Sequence, residues 1–167
     1  MQSLIQIFWD ICLLRRGPQV LPYSLALLGL VLFLQTLLGI LFIAITKFSL
    51  DNIIISILNT GFMVLLYTAV LLLFSHIDRL VQTLTAVAGC DVLLGLIGLP
   101  LIILGVWFGQ DSEILAMFWL ILLLWNILVA AHILRHALVI PLIAGMGMSI
   151  ALTALAIYIN TLLKQAF

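Results

Sequence analysis

The sequence predicts an all-α integral membrane protein: a bundle of five transmembrane helices preceded by a short amphipathic interfacial helix. Three observations carry this expectation. Of 167 residues, 66% are hydrophobic and 7% charged, and the mean hydropathy is +1.45, far outside the range of a soluble domain. The apolar residues fall into five runs, each close to the roughly 20 residues a helix needs to cross a bilayer. Charged residues gather mainly in the short breaks between those runs. Such a chain has little room for a separate catalytic domain, so no enzymatic activity is expected. The formal net charge is +0, and the six Lys and Arg are scattered, which offers nucleic acid no basic surface.

Residues 1–17 form the N-terminal unit, on the cytoplasmic side. Gln2, Gln6 and Asp10 recur every four residues, while Leu4, Ile5, Ile7, Phe8, Trp9, Ile11 and Leu13 cover the remaining surface of a helix too short to span. The pattern fits a helix lying flat in the interface, with Trp9 at headgroup level and Arg15 and Arg16 towards anionic lipid. A helix packed on the side of the bundle is the alternative. Gly17 and Pro18 are expected to end it. No charged segment precedes the first apolar run and no small-residue cleavage site follows it, so the N-terminus is expected to be retained.

Residues 18–167 carry the five spans, at approximately 22–46, 53–75, 83–108, 114–134 and 137–162. Pro22 suits the first turn of the first span, and Pro141 leaves open whether the last begins at Ala137 or Pro141. The third span is central, because it holds Asp91 far from any loop, together with Gly89, Gly95, Gly98, Pro100 and Gly105. Cys12 and Cys90 form neither a disulfide framework nor a CxxC motif. Arg15, Arg16, Arg79 and Arg135 fall on one side of the membrane and Lys47 and Lys164 on the other. Positive charge collects in cytoplasmic loops, so the N-terminus is expected in the cytoplasm and the C-terminus outside.

Counted along the helices, Asp91, Asn126 and Thr68 share a depth of roughly 12 to 14 Å from the cytoplasmic ends. Gly145 joins them if the last span begins near Ala137. An ionisable residue in a span is costly, so this layer reads either as an ion or proton site or as hydrogen-bonded glue between helices. Gly145, Ser149 and Thr153 recur every four residues and allow close helix packing, within the chain or between copies. Gly147, Met148 and Ser149 suggest an intramembrane protease nucleophile, but Ser149 would lie roughly 18 Å deep and His132 only about 5 Å, out of reach. His76, His132 and His136 fall at cytoplasmic span ends with Asp78 as the only acid nearby, so no metal, haem or other cofactor is expected.

Leu124, Trp125 and Asn126 lead through His132, Arg135, His136, Ala137 and Leu138 into the last span. With five spans, a cytoplasmic N-terminus and a polar turn after the second span, this arrangement resembles the Yip domain family over roughly Leu21 to Leu163. The shared pattern is one of apolar, small and Trp positions, without a catalytic signature. That family is known for Golgi and ER membrane proteins that engage Rab-type GTPases, and it has small prokaryotic members. The segments Arg15-Arg16-Gly17-Pro18 and Leu21-Pro22-Tyr23-Ser24 look like a compact bacterial version, which implies the bacterial inner membrane. The long cytoplasmic N-terminal region of the eukaryotic members has no counterpart here, which argues against GTPase binding. The expected role is therefore a non-enzymatic interaction, scaffolding or membrane-organising subunit, in contact with lipid and with another membrane protein or a second copy. The alternative is a small transport or channel subunit that uses the layer around Asp91.

Overall fold

The computed structural model describes residues 3–46, 49–108 and 113–166, with the side chains of residues 51, 52, 108, 164 and 166 left aside. Among the described residues six α-helices follow one another: α1 (Leu4–Cys12), α2 (Leu25–Thr46), α3 (Leu50–Leu73), α4 (Leu80–Phe108), α5 (Glu113–Leu138) and α6 (Leu142–Ala166). Helices α2 to α6 are long and apolar enough to cross a membrane. The protein is thus a five-helix membrane bundle with a short helix before it. Lys47 and the Lys164 side chain, on which part of the orientation argument rests, lie outside the described residues.

Ser3 caps α1 reciprocally: its hydroxyl accepts from the Gln6 N–H at 3.3 Å and its own N–H donates to Gln6 Oε1 at 3.1 Å. The helix ends earlier than Gly17 and Pro18 suggest. Leu14 takes a φ of 60°, and the Arg15 N–H reaches back to the Asp10 carbonyl at 2.9 Å. The same six-to-one closure ends α3 at Ser75, with His76 N–H on the Leu71 carbonyl, and α5 at Val139, with Ile140 N–H on the Arg135 carbonyl. In each case a residue other than glycine holds the left-handed position.

The break between the last two spans differs from the expected one. Helix α5 runs through Arg135, His136 and Ala137 to Leu138, and α6 starts only after Pro141. Proline has no N–H to give and fixes its φ, so it suits a helix start, whereas Ala137 can still continue the preceding helix. Arg79 reinforces this end, donating from Nη1 to the carbonyls of His136 at 3.1 Å and Ala137 at 3.0 Å. Those carbonyls have no partner within the helix.

Helices α2, α3, α6, α5 and α4 touch in that order, and α4 returns to α2, closing a ring. Helix α4 also carries α1, and its glycines allow three approaches. A side chain at Gly89 would meet the Phe8 ring of α1, one at Gly95 would meet Leu38 of α2, and one at Gly98 would meet Trp119 of α5 at 3.3 Å. Between membrane helices, where lipid removes most of the hydrophobic drive to associate, such close packing is the main attraction.

One end of the ring is filled. Ile11, Leu21, Leu71, Leu84, Leu134 and Leu138 form its buried core together with Phe8 and Cys12. The face of α1 made by Phe8, Ile11 and Cys12 is buried against the bundle, while Ile5 and Trp9 on the same helix are exposed. Trp125 Nε1 donates to the Cys12 carbonyl at 2.9 Å, tying the end of α1 to α5. The alternative reading of this segment, a helix packed on the bundle, describes that inner face.

Candidate functional site

Asp91 sits on α4 about 16 Å along the helix from Leu80. Its Oδ1 accepts from Asn126 Nδ2 of α5 at 2.8 Å, and its Oδ2 accepts from Gln35 Nε2 of α2 at 2.9 Å. One carboxylate therefore links three of the five spans. Both oxygens are acceptors, which suits the ionised form, and both amides have turned their donors towards it. Gln35 has its Oε1 buried with no hydrogen-bond partner.

Beside this carboxylate lies a partly open cavity of about 390 Å³ lined by residues from all five spans. Tyr67, Val87 and Ile133 belong both to its wall and to the packed core, so they form its floor. Towards the other end of the ring it is bordered by Gly39, Ser56 and Asn160. The side chain of Asn160 leaves a second amide oxygen, Oδ1, buried without a partner. The cavity wall is otherwise largely apolar, with Phe62, Leu66, Leu123 and Leu152 among its residues. Its volume falls within the range of small-molecule sites.

Of the expected polar layer, Asp91 and Asn126 meet. Thr68 does not join them: its hydroxyl donates to the Val64 carbonyl one turn back on its own helix, at 2.6 Å. Depth along a helix says nothing about the direction a side chain faces, and threonine readily spends its hydroxyl on the i−4 carbonyl. Gly145 lies in the first turn of α6, because that helix starts at Leu142, and is too near the helix end for the layer. The missing member is Gln35. It is the one amide in the apolar run of α2 and lies about 15 Å from Leu25, whereas counted from residue 22, where the sequence starts that span, it falls about 20 Å deep and outside the layer.

The small-residue stripe of α6 turns inward. A Cβ at Gly145 would stand 2.7 Å from the Ala131 carbonyl oxygen of α5. Ser149 is buried and donates to the Ile127 carbonyl of α5 at 2.8 Å, and Thr153 faces the cavity. With its hydroxyl committed to a backbone carbonyl, Ser149 is also not poised as a nucleophile.

At the filled end, Arg16 pairs with Asp10 at 3.1 Å, and its carbonyl accepts from His132 Nε2 at 3.0 Å, while Arg15 and Trp9 remain exposed. His132 and His136 stack edge to face at 4.6 Å. Among the described residues no three His, Cys, Asp or Glu side chains group as a metal site. The docking of α1 brings the Cys90 thiol onto it: Sγ donates to the Phe8 carbonyl at 3.9 Å. Comparison with family models, with curated proteins and with solved structures found no match to this chain.

Proposed function

We propose that the protein is a non-enzymatic transport or channel-type subunit that admits a small polar solute or ion to the cavity beside Asp91. One observation carries this reading: a carboxylate held by two amides borders a cavity of about 390 Å³ at the centre of the helix ring. A carboxylate retained only as glue needs donors, and Gln35 and Asn126 supply them. It needs no adjoining cavity, and it does not account for the unpartnered oxygens of Gln35 and Asn160. Polar groups at membrane depth are costly, and those that persist tend to face a wet interior.

The interaction or scaffolding reading has lost one support, since Gly145, Ser149 and Thr153 are engaged within the chain rather than on an outer face. The Yip resemblance, the bacterial inner membrane and the cytoplasmic N-terminus remain part of the proposal. The orientation is favoured by Arg15, Arg16, Arg79 and Arg135 gathering at the end that holds α1 and the α5–α6 turn.

The test is reconstitution into proteoliposomes, with uptake of labelled monovalent ions and small polar solutes measured for the native protein and for Asp91→Asn. Uptake that disappears in the variant supports the proposal. Absence of uptake, together with a membrane protein that co-purifies stably, returns the assignment to scaffolding.

A further inference from the structure

Resting on the cavity reading above, the chemistry of the wall points, we infer, to an organic ammonium ion with an apolar body as the ligand. Acceptors are in surplus. The Asp91 carboxylate takes two amide donors and has lone pairs left; Gln35 Oε1 and Asn160 Oδ1 are buried and unpartnered. Several donors of the wall are already engaged. Asn126 Nδ2 and Gln35 Nε2 go to Asp91, the Thr60 hydroxyl goes to the Ser56 carbonyl at 3.3 Å, and Thr36 beside it goes to the Leu32 carbonyl at 2.9 Å. A ligand that brings donors to these oxygens completes such a wall, and a primary ammonium brings three donors and a positive charge.

Charge excludes the opposite class. Among the described residues no Lys, Arg or His lines the cavity, so an anion would meet Asp91 with none of them to offset it. Size and composition bear on inorganic cations. A divalent metal takes six or more oxygen ligands from a hard, usually multiply acidic set, and among the described residues Asp91 is the only acid in this wall. A bare monovalent ion would occupy a small part of about 390 Å³. Phe62, Leu66, Leu123 and Leu152 instead offer an apolar surface beside the carboxylate, suited to a hydrocarbon body attached to the charged head. Small-molecule sites commonly combine such a wall with a few oriented polar groups.

Calorimetric titration of the protein in lipid nanodiscs, against empty nanodiscs, tests this with four probes: phenethylammonium, its neutral counterpart 2-phenylethanol, the anion 3-phenylpropionate, and sodium chloride. The ammonium should bind at least tenfold more tightly than the alcohol, the carboxylate should not bind, and Asp91→Asn should remove most of the preference for charge. If the alcohol or the carboxylate binds as tightly as the ammonium, or sodium alone saturates the site, the ligand class is wrong while the cavity reading stands. If no probe binds, both fall. The charge series on the native protein gives its answer even if the variant does not assemble.

Discussion

Gln35 donates to Asp91 at 2.9 Å across 56 positions of sequence, joining α2 to α4 at the depth where Asn126 joins α5 to the same carboxylate. Replacing Asp91 with Leu removes both bonds and leaves two buried amides without an acceptor. Interhelical hydrogen bonds in membranes contribute about 0.6 kcal/mol each on average, so Asp91→Leu should lower stability by on the order of 1 kcal/mol or more. Asp91→Asn, which keeps the size and part of the hydrogen bonding, should lose less. Unfolding of both variants in mixed micelles checks the order.

Two glycines on α6 should respond oppositely to alanine. At Gly145 the new methyl would stand 2.7 Å from the Ala131 carbonyl oxygen, whereas at Gly147 it meets nothing within 4 Å. Overpacking typically costs 1 to 3 kcal/mol, so Gly145→Ala is expected to destabilise by about that amount. Gly147→Ala should be neutral or gain up to about 1 kcal/mol from helix propensity. Thermal melting of the pair is the measurement.

The N-terminal helix is held by the Phe8 ring over Gly89 and by Trp125 Nε1 on the Cys12 carbonyl. Phe8→Ala should unseat α1. The expected readouts are faster exchange of the Trp125 indole N–H and easier proteolysis within residues 4–12, with α2 to α6 still assembled. Unchanged exchange would show that the docking does not depend on Phe8.

Topology follows from the arginines gathered at the α1 end. A single cysteine at Glu113, in a background without Cys12 and Cys90, should react with an impermeant reagent added outside intact cells. One at the exposed Asp78 should react only after the membrane is opened. The reverse pattern would invert the protein.

The five spans were legible because length and hydropathy are one-dimensional quantities, and Asp91 with Asn126 because depth along a helix is one as well. What the sequence hid was rotation about each helix axis. Thr68 lies near the right depth but is turned to its own backbone, and Gln35 belongs to the site although uncharged amides in apolar runs attract little notice. The docking of α1 was hidden for a related reason. Phe8, Ile11 and Cys12 face the bundle while Ile5 and Trp9 face away, and both faces are apolar, so the pattern alone could not tell protein from lipid. The α5–α6 break depended on which side of Pro141 the helix resumed.

The central claim is that the ring encloses a wet, reachable cavity rather than dry packing. The direct measurement is the reactivity of Thr153→Cys, which faces the cavity, compared with Phe33→Cys, whose native side chain is 63% exposed on the outer surface of α2, both in a background without Cys12 and Cys90. A water-soluble thiol reagent needs water to form and reach the thiolate. The account predicts that the cysteine at position 153 is modified, is protected by phenethylammonium, and outpaces the lipid-facing one at position 33. Equal, negligible modification at both positions would contradict it.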